Sequence, residues 1–301
     1  MDYTRKLLPG QVSRIHIGYA DGREPTVIFE TDRILIEAPN WTLDGSRLIV
    51  NGDGLLWSIA PEAGGELELI PLEGVPPLNN DHVLAPDGER IFVSANDWHI
   101  YEARLEGGPV RKVTSVKDPE RLHFLHGVSP DGETLAYIGL NAGGEDVWAS
   151  GNVYTVTATG GEDVQLTFGS RPADGSEYSP DGEFIYFNTE AFESTPGHAQ
   201  IARMKADGSD VQQLTFDEQV NWFPHIAPDG RSAIYIAFPS GTEGHPANKW
   251  VEVKLVSDGR WLQPRTVERL HGGQGTVNVN SWAPDSRRFA YISYPIAGLD
   301  D

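Results

Sequence analysis

Short runs in which apolar and polar residues alternate recur along the chain, as in Arg90-Ile91-Phe92-Val93, Thr134-Leu135-Ala136-Tyr137-Ile138 and Glu183-Phe184-Ile185-Tyr186-Phe187. Such alternation over about five residues predicts half-buried β-strands. Each of these runs follows a Pro-Asp-Gly tripeptide, at 86–88, 130–132 and 180–182, and a fourth copy stands at 228–230. Proline presets φ, the aspartate side chain bonds nearby backbone, and glycine accepts a left-handed conformation, so the tripeptide predicts a hairpin turn between two strands, a and b. A second glycine-bearing turn follows in each unit, at Gly107-Gly108, Gly160-Gly161 and Asp207-Gly208, and joins strands c and d.

Degenerate copies at Leu43-Asp44-Gly45 and Pro284-Asp285-Ser286 bring the repeat to six, with the aspartates Asp44, Asp87, Asp131, Asp181, Asp229 and Asp285 spaced 43–56 residues apart. That is the period of a four-stranded blade, so the sequence predicts an all-β fold, a six-bladed β-propeller. After Asp285 the chain has room only for one more strand, 288–294, whereas 14–19 and 26–29, joined by Asp21-Gly22, carry the c–d pattern. The expectation is one domain over 1–301, its last blade built from 14–33 together with 279–294, which closes the ring and leaves no free sheet edge.

Composition narrows the function. The 33 glycines and 21 prolines match a chain of many turns, and the absence of cysteine excludes disulfides, thiolate metal sites and thiol nucleophiles. A formal charge of −21 excludes sequence-independent nucleic-acid binding, which rests on lysine and arginine displacing counterions. It suits a basic protein partner as readily as solubility. No apolar signal-peptide core opens the chain and no membrane-length apolar run interrupts it, so a cytoplasmic protein without membrane insertion is expected.

In a propeller strand a lies innermost. If it runs toward its Pro-Asp-Gly turn, its start opens at the opposite mouth of the channel, where the b–c loops also arrive. The residues three to five positions before each tripeptide then converge: Asn40, Trp41, Asp81, His82, His126, Glu177, His225, Asn278 and Asn280. The b–c loops add Asp97, Trp98, His99, Glu145, Asp146, Trp148, His198, His245, Asn248 and Lys249, and Gln274 sits among three glycines that let backbone approach a ligand closely. Asn40, Trp41, His82, Glu177, His225, His245, Asn248, Gln274 and Asn280 are the expected ligand-binding set. His126 as base and Lys249 as stabiliser of an enolate are the expected catalytic pair, with Trp41, Trp98, Trp148 or Trp222 as platform for a sugar face. No Gly-x-Ser-x-Gly elbow is present, which disfavours serine hydrolase chemistry.

The repeated Ser/Ala-Pro-Asp-Gly, the aromatic-rich strand behind it, and Gln-Leu-Thr-Phe closing a blade resemble the TolB-like propeller repeats over essentially the whole chain. The resemblance implies the propeller fold and allows a protein-docking scaffold as the alternative function. Oligogalacturonate lyases are similar in their repeats and hold a metal with histidines and a glutamine. That likeness implies a divalent metal ion as cofactor, with His225, His245 and Gln274 as ligands, and a lyase-type proton transfer on a small polar, carbohydrate ligand.

Overall fold

The computed structural model describes residues 4–115, 120–143, 146–192 and 195–298. Six antiparallel sheets follow one another, their innermost strands being Ile36–Trp41, Leu78–Leu84, Arg121–Val128, Ala173–Tyr178 and Val220–Ile226 in blades 1 to 5. In blade 6 the inner segment is irregular, held to the next strand by a bridge between Trp282 and Phe289 and by the Ile292 N–H on the Thr276 carbonyl at 3.1 Å. The strand Arg288–Ser293 pairs with Ser13–Tyr19, and that with Thr26–Thr31, so the N-terminal segment supplies the outer half of the last blade. Among the described residues the helical element is one 3-10 turn, Trp148–Ser150, and no helix is long and apolar enough to cross a membrane.

The turn chemistry explains the regularity. In all six a–b turns the aspartate Oδ1 accepts a backbone N–H from two residues on: Ser46, Glu89, Glu133, Glu183, Arg231 and Arg287, at 2.8–3.0 Å. The third position is left-handed in every copy, including Ser286 at φ 57° where glycine is missing. The Leu-Thr-Phe signature has a separate use. Thr167 and Thr215 each accept the backbone N–H of strand c, from Val153 and Ile201, at 2.9 Å, which ties down outer strands only two residues long. Between blades the core is aliphatic and aromatic, with Tyr137, Tyr235, Tyr291, Phe92 and Phe187 fully buried. Burial of such faces between neighbouring sheets, rather than any single bond, is the main term holding the ring.

Strand a is bulged. Its register slips between Glu37 and Asn40, Asp174 and Glu177, and Trp222 and His225, and the residue after the first of each pair is left-handed: Ala38 at φ 54°, Gly175 at 66° and Phe223 at 56°. A bulge inserts one residue and re-aims its neighbours. Glu37, Asp174 and Trp222 therefore occupy one equivalent position in blades 1, 4 and 5.

Candidate functional site

The mouth opposite the Pro-Asp-Gly turns contains a cavity of about 460 Å³, lined by strand-a residues and by Asn96, Trp98, Trp148, His245 and Pro246 of the b–c loops. A second chamber of about 670 Å³ adjoins it across Trp148, Asp174, His245 and Pro246, and reaches Arg171, Glu190, Trp222 and Glu243.

One wall of the first cavity is a directed hydrogen-bond chain. His245 Nδ1 donates to Gln274 Oε1, Gln274 Nε2 to Asn80 Oδ1 at 3.3 Å, and Asn80 Nδ2 to Glu37 Oε1 at 3.1 Å. Arg5, from the segment before the first strand, ends it by donating to Glu37, and also to the Gln274 carbonyl at 2.7 Å. At the other end Asp174 receives His126 Nε2 at 3.0 Å and lies 3.5 Å from His245 Nε2. Burial alone would lower the His126 imidazole, but the carboxylates of Asp81 and Asp174 overcome it and raise it to about 9. Burial opposes the ionised form of Asp174 too, yet hydrogen bonds and charge from His126 and His245 hold it well below the usual carboxylate range. Burial pushes Asp81 up to about 6 against the pull of His126, and raises Glu37 against that of Arg5.

Aromatic rings line the same cavity. Trp98, Phe124 and Trp148 follow one another at ring distances of 5.7 and 6.1 Å, and His245 sits among Trp148, Trp222 and Phe223 at 5.9, 4.5 and 5.1 Å. Trp148 is 55% exposed, which for a tryptophan beside a cavity leaves a free ring face.

Of the residues nominated from sequence, His126, His245, Gln274, Asp81 and Asn278 meet at this mouth, with Trp98 and Trp148. Glu177, His225, Asn280 and Asn40 form a separate sealed cluster nearer the turns: Glu177 accepts from His225 Nδ1 at 2.6 Å and Asn280 Nδ2 at 2.7 Å, and Asn40 Nδ2 donates to the Asn280 carbonyl at 2.5 Å. Trp41 packs in the core between blades 1 and 6 under the Arg288 guanidinium, and His82 is buried, its imidazole lowered to about 4 by burial. Neither lines either of these two chambers. Asn248 accepts from Gln11 at 2.8 Å, and Lys249 is exposed on strand c away from both chambers. Glu145 lies outside the described residues. His126, expected as a base, is raised to about 9 and has its two ring nitrogens on Asp174 and on the Asn278 carbonyl at 3.4 Å, so it lines the cavity as a cation.

Glu37, Asn80 and Asp174 escaped the sequence reading because the strand-a bulge shifts the count back from the turn. They stand seven residues before their aspartates, not among the positions counted. Arg5 lies outside the repeat, so no register pointed to it.

The expected metal set does not fit. His225 has its two ring nitrogens on Glu177 and on the Val277 carbonyl at 3.0 Å, and His245 and Gln274 bond each other. Among the described residues no group of three His, Cys, Asp or Glu is arranged to hold a metal ion.

Six antiparallel sheets in a closed ring, with a polar and aromatic mouth opposite the aspartate turns, define a six-bladed β-propeller. No family model matches the chain. An uncharacterised protein of Agrobacterium fabrum is 34% identical over 287 residues, covering 94% of this chain and 92% of the relative. A solved structure from Agrobacterium tumefaciens, described as a TolB candidate, is 32% identical with a TM-score of 0.83, over 95% of this chain and 99% of that one. An oligogalacturonate lyase solved in complex with manganese shares the fold, at 13% identity and a TM-score of 0.56 over 89% and 75% of the two chains. The chain belongs to the TolB-like six-bladed β-propeller family.

Proposed function

We propose that the mouth binds a small polyhydroxylated ligand of the carbohydrate class. The observation that carries this reading is the presence, in the lining of one cavity of about 460 Å³, of aromatic rings together with amides and carboxylates. A pyranose has the matching halves: an apolar C–H face for tryptophan and a rim of hydroxyls that both donate and accept. Tryptophan-fluorescence titration and thermal-shift measurement with neutral sugars, amino sugars and sugar acids test the reading. Saturable quenching with a melting point raised by about 2–4 °C at saturating ligand is expected, and no response to any member of the panel overturns it.

A second reading, a protein-docking disc, is supported by Phe168 and Phe216, which follow strand d in neighbouring blades and are 78% and 65% exposed. A Phe168→Ala/Phe216→Ala double variant that loses a co-purifying partner yet keeps ligand binding would favour it over the cavity.

A further inference from the structure

The charges at the mouth do not cancel in pairs. Glu37 is matched by Arg5 and Asp174 by His126. Asp81 is 4% exposed, and among the described residues no side chain or backbone group bonds its carboxylate. Its oxygens are nevertheless absent from the sealed polar atoms that lack partners, so they reach the surface of the cavity that Asp81 lines. The cation that attracts it, His126, is already hydrogen-bonded to Asp174 and is shared between the two carboxylates; a buried carboxylate with only a shared counter-ion is costly, and the fold keeps this one where a bound molecule can supply further positive charge.

The surroundings select the sign and kind of that molecule. Three carboxylates, Glu37, Asp81 and Asp174, line this cavity against two cations, Arg5 and His126, a balance that disfavours anions. Trp98, Phe124, Trp148 and Phe223 line the same cavity and offer π-faces, whose negative quadrupole attracts cations. A carboxylate and aromatic faces lining one cavity are recognition chemistry for an organic ammonium, and a neutral hydroxyl would use only part of it.

We propose that the ligand of this mouth is an organic cation, a polyhydroxylated molecule bearing an amino group of the amino-sugar class, its ammonium seated on Asp81 and its apolar face on the aromatic rings. The inference rests on the carbohydrate-binding reading above and narrows it.

The test compares glucosamine, glucose and N-acetylglucosamine by tryptophan-fluorescence titration on the full chain and on Asp81→Asn, with urea unfolding of both proteins as a check on folding. At pH 7 glucosamine is expected to bind at least about tenfold more tightly than either neutral sugar, the usual scale of a charge-assisted hydrogen bond. Asp81→Asn should erase that gap, so that glucosamine binds no more tightly than glucose. The gap should also narrow from pH 7 to pH 5 as Asp81 takes up a proton. Of the groups facing Asp81, namely His126, Asp174, His245 and Glu37, His126 stays protonated and Asp174 ionised across that interval. Equal binding of the three sugars, or a gap that survives Asp81→Asn, overturns the ammonium subsite but leaves the carbohydrate reading standing. No binding of any of them, with none elsewhere in the wider panel, overturns both.

Discussion

Glu177→Gln should cost about 3 kcal/mol of folding stability, although it changes one atom of one side chain. The carboxylate is buried and accepts three hydrogen bonds, from His225 Nδ1 at 2.6 Å, the Ile226 backbone N–H at 2.9 Å and Asn280 Nδ2 at 2.7 Å. Through them blade 4 holds blades 5 and 6, and Asn40 of blade 1 joins by bonding the Asn280 carbonyl. An amide keeps one acceptor oxygen and sets an N–H₂ group against a donor. One charge-assisted bond worth about 1.5–3 kcal/mol is lost, and a buried donor left unpaired adds about 1–3 kcal/mol. Equilibrium urea unfolding followed by tryptophan fluorescence and far-UV circular dichroism reads the change. With a slope near 3 kcal/mol/M, the midpoint should fall by about 1 M. The exposed pair Arg231–Asp258 is the control, since Arg231→Ala should cost under about 1 kcal/mol. A loss below about 1 kcal/mol for Glu177→Gln would refute the claim that this cluster fastens the blades.

Three further outcomes follow from the mouth. Asp81 is raised to about 6 in the fold, so its ionised form opposes folding above that pH; Asp81→Asn should stabilise the protein at pH 7.5 by up to about 3 kcal/mol, with the gain vanishing near pH 4, as urea midpoints at both pH values would show. His126 is raised to about 9, so its contribution is complete below about pH 6.5 and disappears as pH climbs through 9; the wild-type urea midpoint should drop between pH 7 and 10, with a shallower drop in His126→Asn. Trp148→Ala should leave the unfolding free energy within about 0.5 kcal/mol of wild type, because the ring is half exposed, yet strongly reduce the fluorescence response to ligand.

The architecture was legible because its signal is local and repeated: an aspartate that bonds the second backbone N–H beyond it writes the same turn six times, and even Ser286 adopts the left-handed conformation that glycine takes elsewhere. The face carrying the cavity was legible from topology alone. Individual residues were less so. His126, His245 and Gln274 were found because unusual polar residues stand out in a strand or loop. Glu37, Asn80 and Asp174 were not, because bulges in strand a offset the count from the turn. Trp41 and His82 fell to the opposite error: alternation along a strand sends neighbouring side chains to different faces, and these two turn between blades. His225 and Glu177 are as polar as the mouth residues, but their bonding is satisfied within the protein, which no spacing reveals.

The chain of bonds from His245 through Gln274 and Asn80 to Glu37 has a single polarity. Each amide satisfies both neighbours in one orientation only, and the terminal carboxylate can only accept. Asn80→Asp, the smallest change in shape, would set carboxylate against carboxylate, and Gln274→Glu would do the same to the Asn80 oxygen. Members of this family can therefore diverge along this rim only through compensated exchanges that span different blades. A lone substitution there marks a mouth whose wiring has already been redrawn elsewhere.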